Sequence, residues 1–549
     1  MKKRRLNQAK KRNKGMGLIE KAVKVGKAVK VKRIAASIMI VVMAMVLMPQ
    51  APVYGGESVP EGSYWVETGQ TYDKFVNNVH GYSLNIDKGM KVDMSMSGVC
   101  AVLENSVKRI EIYKQPLING TTRASYLNYS NKFLTADKDI KKEYESTQKI
   151  NGKTVSILQY SREKLARVKN DKNFYVNLEI QQGNTMYSIF VKSASPLWEV
   201  GGYDYLAANF TVFTPTHSAY NRQTQPISLS HRGWNDETAS LYTQYFSDDS
   251  PLSWGIFEPA APEYFSDLEK IEQSIAYEFP FILNYTSFDN PLAHPNLKAR
   301  LDNAYANGKI MELTLQTPAQ TWGNGNMVYD ILNGEYDSFL KDYAKTVSEF
   351  DHPVLFRLAN EMNGDWCPYS GYHTGKDTLV FKEFYRYVYS FFEDAKADNV
   401  IWVWNPNGVS FPNFEWNNAL MYYPGDAYVD IVGLTAYNTG TYYKDEKWTD
   451  FAKLYDNLYN DYAHQYKQPL IISEFASSSV GGDKNRWITD MFEHIQNYDR
   501  IKLAIWWDGC DWDANGNVAR PYFIDETPQI LETFKKYLNI KPLNWDAYA

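Results

Sequence analysis

Eight short apolar runs, rich in β-branched and aromatic residues, recur between residues 252 and 507. They are Leu252–Phe257, Phe281–Tyr285, Ile310–Leu315, Val354–Leu358, Val400–Trp404, Val429–Leu434, Leu470–Ile472 and Leu503–Trp507. Segments with helical spacing separate most of them: Pro262–Ile275, Leu297–Ala306, Tyr336–Phe350, Asp377–Ala397, Trp448–Tyr466 and Asn485–Tyr498. Another, Pro528–Tyr537, follows the last run. The gap between the fifth and sixth runs is shorter and irregular. Runs that are apolar on both faces suit parallel strands covered by helices. Eight of them with helical crossovers is the count of an α/β fold of the (β/α)8 TIM barrel type. A doubly wound open sheet is the rival, but no Gly-rich phosphate loop follows the first run.

A chain of 549 residues is too long for one ordinary core. Residues 246–549 are assigned to the barrel and 216–245, rich in Thr, Ser, Gln, Pro and His, to a linker. Residues 57–215 alternate strand-like runs (Tyr82–Ile86, Arg109–Tyr113, Val155–Tyr160, Met186–Val191) with polar turns and one helix-compatible stretch, Thr135–Thr147. This predicts a small α+β domain with no legible chemistry; a carbohydrate- or cell-wall-binding module is one reading of it. Residues 1–56 open with a Lys/Arg-dense segment, followed by the uncharged run Ile34–Met48 and small residues from Ala51 to Gly56. The run is about fifteen residues, short of the roughly 20 that a membrane span needs. It predicts a signal peptide or anchor and hence a secreted or cell-surface protein, touching the membrane only through an uncleaved leader. A basic nucleic-acid arm would not be followed by such a run, so no nucleic-acid partner is expected. A monomer is expected.

Two of the barrel runs end on glutamate. Val354–Leu358 leads through Ala359-Asn360 to Glu361, and Leu470-Ile-Ile-Ser473 leads to Glu474. Barrel active sites lie where the C-terminal ends of the strands meet their loops. Both carboxyls therefore belong to one rim although 113 residues separate them (474 − 361). Paired carboxyls there are the equipment for acid/base cleavage of a glycosidic bond. A general acid needs a raised pKa, supplied by burial or a neighbouring negative charge; a nucleophile needs donors and a cation. Arg357 shares a strand face with Glu361 and is the candidate cation. Tyr437, just past the sixth run, is the candidate hydroxyl donor, and Asn360 the candidate partner for a sugar hydroxyl. Trp366, Trp322, Trp506 and Trp507 are candidate stacking surfaces. Alternation allows only one of the adjacent pair to face the site, and Trp506 is favoured.

Other chemistries lack their residues. Three cysteines (Cys100, Cys367, Cys510) are too few for a disulfide scaffold, although Cys367 and Cys510 fall on loops at one end of the barrel. Asp511-Trp-Asp-Ala-Asn-Gly516 begins like a calcium loop, but its twelfth position is Tyr522 rather than glutamate. It is read as a polar loop. The eight histidines form no His-x-x-x-His pair and no serine sits in a nucleophile elbow. No metal and no cofactor are expected.

Residues 250–540 resemble glycoside hydrolase family 26, part of a large barrel clan with many β-mannanases. The segments that carry the likeness are Arg357-Leu-Ala-Asn-Glu-Met-Asn-Gly-Asp-Trp366, Ile472-Ser-Glu-Phe475, Ile331-Leu-Asn-Gly-Glu-Tyr-Asp337 and Ile431-Val-Gly-Leu-Thr-Ala-Tyr-Asn438. The resemblance implies a retaining double displacement with Glu361 as acid/base and Glu474 as nucleophile, held by Tyr437 and Arg357. Two positions depart from it: Asn360 stands where the family's mannanases usually carry histidine, and Thr435 where an aspartate is common. Lichenan or β-1,3-xylan therefore stand beside β-mannan as polysaccharide substrates. A non-catalytic carbohydrate-binding barrel is the reading from another class.

Overall fold

The structure is a computed structural model that describes residues 60–136, 138–197, 202–217, 224–288, 293–318 and 325–539. The signal or anchor segment expected in residues 1–56 lies outside them. No helix among the described residues is long and apolar enough to cross a membrane.

The eight runs form a closed parallel barrel, each strand paired with the next and the eighth with the first. In order the strands are Ser253–Phe257, Phe281–Ser287, Ile310–Gln316, Val354–Leu358, Val400–Trp404, Ile431–Thr435, Leu470–Phe475 and Ile501–Trp507. Alternation divides each strand between two cores. Leu283, Leu355, Ile401, Ile431, Ile471 and Leu503 fill the interior. Phe356, Trp402, Val432 and Ile472 pack outward under the helices. The crossover helices lie where their spacing puts them, as in Thr378–Asp394 and Phe451–Gln465. Between strands five and six the crossover is three short 3-10 turns, matching the irregular gap.

The expected linker holds a structural element. Asp236–Phe246 is a helix capped by Asn235, whose side chain accepts from Thr238 N at 2.8 Å. Its Tyr242 and Phe246 join the barrel-interior cluster, so residues 236–245 belong to the barrel.

Residues 60–217 hold a seven-stranded antiparallel sheet and a four-stranded one. The larger sheet runs Lys91–Asp93, Cys100–Glu104, Lys108–Pro116, Thr185–Ser193, Phe174–Gln182, Lys153–Arg162, Ile140–Ile150. Its last member overturns the helical reading of Thr135–Thr147. From Ile140 that stretch is an edge strand whose side chains are mostly exposed, and a solvated edge carries the charges of a helix face. One face of this sheet packs on the smaller sheet through Leu103, Ile112 and Leu178. The other, with Tyr113, Tyr160, Tyr175 and Phe190, shares a continuous core with the barrel. The joint is polar as well. Asp377 caps the helix Thr378–Asp394 and also accepts from Tyr175 Oη at 2.9 Å and Lys192 Nζ at 2.7 Å. Lys376 pairs with Glu179 at 3.1 Å. Both Lys376 and Asp377 lie in the loop after the fourth strand, so this domain is seated on loops of the barrel's C-terminal face.

Candidate active site

Glu361 stands in the turn after the fourth strand, where Ala359 and Glu361 have φ of 51° and 57°. Left-handed backbone at non-glycine residues costs on the order of 1–3 kcal/mol each and persists only where neighbours enforce it. Here Ala359 N donates to Leu315 O at 2.9 Å and Glu361 N to Asn405 O at 2.7 Å, tying the turn to strands three and five. Asn363 continues the tie, with Nδ2 donating to Asn407 O at 2.9 Å. Trp366 Nε1 donates to Glu361 Oε2 at 3.2 Å. Gly364 makes that possible, since a Cβ there would sit 2.5 Å from the indole ring.

Glu474 reaches the same mouth through a break in alternation. Ile471 points into the barrel, so an ideal strand would send Glu474 outward and Phe475 inward. Register shifts interrupt the pairing with the sixth and eighth strands, and Phe475 packs under the helices instead. The irregularity turns Glu474 to the cleft, as bulges beside functional sites do.

The two carboxyls meet different company. Glu474 Oε1 is 3.4 Å from Arg357 Nη1 and accepts from Asn360 Nδ2 at 3.2 Å. Its Oε2 accepts from the Tyr285 hydroxyl at the end of the second strand. Arg357 is fully buried; its Nε donates to Thr314 Oγ1 at 2.8 Å and its Nη1 to Asn405 Oδ1 at 2.9 Å. Asn405 is in turn bonded to Thr435, the position where the family pattern has aspartate. Burial, and after it the Glu474 charge, hold the Glu361 carboxyl well above the usual carboxylate range; the Trp366 hydrogen bond works against them. Asn360 links the pair directly, adjacent to one in sequence and bonded to the other.

Several expected residues need correction. The hydroxyl on Glu474 belongs to Tyr285, not to Tyr437. Tyr437 does line the site, packed against Trp507 and Tyr522, and burial and the charges of Glu474 and Glu361 raise its hydroxyl pKa. Trp506 is fully buried among Phe475, Trp487 and Phe534, with Nε1 donating to Tyr522 O at 3.0 Å. It faces the helices, and Trp507, stacked on Phe257 at 5.0 Å, takes the inward position. In the eighth strand, Ile501–Trp507, the inward positions from Leu503 on are the odd ones, as Leu503 and Ile505 show. Trp366 is 46% exposed at the rim. Trp322 lies outside the described residues. Cys100, Cys367 and Cys510 are all free and buried. In the calcium-like loop Asp513 accepts from Asn515 N and Asn517 N, and Asp511 pairs with Arg520 at 2.8 Å.

Sequence reasoning missed Tyr285 and Glu312. The alternation used for Arg357 would have found Tyr285, which follows Phe281 and Leu283 on the inward face. Glu312 breaks the apolar run Ile310–Leu315; it is buried 3.4 Å from Arg357, and burial pushes its carboxyl up to about 7.

The sequence model of glycosyl hydrolase family 26 matches residues 314–500, from the third strand to the threshold of the eighth, and so spans both glutamates. The matched residues carry the sequence pattern of glycosyl hydrolase family 26. Proteins similar to this barrel carry different names. Endoglucanase H of Acetivibrio thermocellus is 31% identical over 223 residues, 39% of this chain and 24% of the relative. Beta-1,3-xylanase TXYA of a Vibrio species is 25% identical over 253 residues, 41% of this chain and 51% of the relative. Mannan endo-1,4-beta-mannosidase of Bacillus subtilis is 28% identical over 160 residues, 25% of this chain and 42% of the relative. The chain thus spans between 24% and 51% of the length of these three.

Proposed function

We propose that the protein is an exported retaining glycoside hydrolase that cleaves a β-linked polysaccharide by double displacement. The observation that carries this is the pair Glu361 and Glu474 at one barrel mouth, one carboxyl buried beside the other's charge and the other surrounded by donors. Glu474 attacks the anomeric carbon while Glu361 gives its proton to the departing glycosidic oxygen, leaving a glycosyl ester on Glu474. Glu361, now ionised, takes a proton from water, which attacks the same carbon and frees Glu474. Asn360 Oδ1 is buried without a protein partner among the described residues, and a sugar hydroxyl would satisfy it. Trp366 and Trp507 offer ring faces to pyranose C–H surfaces.

β-Mannan is the first substrate to try. Lichenan and β-1,3-xylan are the competitors, because Asn360 and Thr435 alter the surroundings of the cleaving subsite and the relatives differ in their named activities. Export rests on the basic leader and the uncharged run Ile34–Met48. Reducing ends released from the three glycans, with wild type and Glu474→Ala side by side, test the reading. Loss of about 10⁴-fold or more on the cleaved glycan is expected. Equal activity in both proteins would reject Glu474 as nucleophile and leave a non-catalytic carbohydrate-binding barrel as the alternative.

A further inference from the structure

A groove of about 470 Å³ lies between the N-terminal domain and the barrel loop that follows the fifth strand. One wall is the segment from Gln115 to Tyr129, the other Pro412 to Glu415. Its surface alternates two chemistries. Ile118 is 58% exposed, and Tyr129 and Phe414 meet edge to face at 6.2 Å, which gives an apolar floor. Asn119, Asn413 and Glu415 supply hydrogen-bonding groups. No lysine or arginine lines it, which disfavours phosphates and acidic sugars. Burial alone pushes the Glu415 carboxyl up to about 7, so its charge is only partly present near neutrality.

The groove's walls adjoin the loops of the catalytic cleft. From Glu361 the wall passes to Trp366, whose ring lies 5.3 Å from that of Phe411, itself 44% exposed. Phe411 is the neighbour of Pro412, and Phe411 N donates to Asn363 O at 2.9 Å, fixing the two loops to each other. On the facing side the Tyr129 hydroxyl bonds Asp365, the neighbour of Trp366. Exposed rings beside amide and carboxyl groups, in a trough without basic residues whose loops contact those of the cleavage site, match an uncharged sugar chain, whose faces are apolar and whose edges are hydroxyls.

We infer that this interdomain groove is a distal binding site for the neutral polysaccharide whose cleavage is proposed above, so that the N-terminal domain supplies one wall of an extended substrate cleft. The inference rests on the glycanase reading for its ligand but is tested separately from it. Ile118→Lys and Asn413→Lys obstruct the groove from its two walls, at exposed positions far from the core. On whichever of β-mannan, lichenan or β-1,3-xylan the wild-type chain cleaves, each variant should lose about tenfold in kcat/KM. On the trisaccharide of that glycan, too short to span both sites, each should match wild type. Equal kcat/KM ratios on polymer and trisaccharide would overturn the inference while leaving the hydrolase standing. The second arm is native electrophoresis of full chains carrying Glu474→Ala in gels cast with each glycan. Retardation that either lysine variant relieves supports the groove, even if wild type cleaves none of the three and the hydrolase reading fails. Retardation that the variants leave unchanged, or none at all, rejects it.

Discussion

At the end of the fourth barrel strand Glu361 has a single donor among the described residues, Trp366. At the end of the seventh, Glu474 collects Arg357, Asn360 and Tyr285. The strands are alike: short, parallel, and apolar on both faces. The difference lies in what other strands contribute at the mouth. Strands two and four bring a hydroxyl and a guanidinium to Glu474, while Glu361 sits in a strained turn with burial and the other carboxyl's charge around it. One fold thus gives two copies of one side chain different surroundings, burial and a like charge around Glu361 and donors with a cation around Glu474, the division of labour that an acid and a nucleophile would use.

Removing Arg357 should disturb this contrast most. Arg357→Ala leaves Glu474 and Glu312 buried without their cation, and a stranded buried charge costs roughly 3–5 kcal/mol. Thermal or denaturant unfolding should register that loss, and activity should fall by about a thousandfold or more. A variant as stable and active as wild type would remove Arg357 from the account. Tyr285→Phe is subtler. It deletes the hydroxyl bonded to Glu474, and hydrogen bonds to charged groups are worth about 1.5–3 kcal/mol, so kcat should drop roughly 10- to 100-fold while folding is nearly unchanged. Tyr437→Phe should do less in the same assay; the reverse ranking would return the supporting role to Tyr437. The smallest effect is expected of Trp366→Phe. Trp366 N–H favours the ionised form of Glu361, so its loss favours the proton on the acid. The basic limb of the pH–kcat/KM profile, set by loss of that proton, should therefore move to higher pH and the acidic limb should stay. A shift to lower pH would mean that Glu361 does not govern the basic limb.

The barrel was legible because parallel strands covered by helices leave a strong apolar signature, and Val354–Leu358 and Val400–Trp404 fall where the runs place them. Where single-residue register mattered, the sequence was ambiguous. Trp506-Trp507 reads equally well in either phase, and only the interior packing of Leu503 and Ile505 settles which ring faces the cleft. Glu474 reaches the site through a register shift that periodicity does not record. In the N-terminal domain the edge strand Ile140–Ile150 is charged on both faces, so no two-residue period marked it. The groove beside Phe414 was invisible for another reason: its walls come from residues about 290 positions apart, brought together only by the seating of one domain on the other.

The roles proposed for the two carboxyls meet their most direct test on a dinitrophenyl β-glycoside of the sugar that wild type releases. Its leaving group departs without protonation, so the first step needs the nucleophile but not the acid. Glu361→Gln should still release a burst of dinitrophenol at close to the wild-type rate while losing the polysaccharide, and Glu474→Ala should release none. Equal loss in both variants, or a burst from Glu474→Ala, would contradict the assignment.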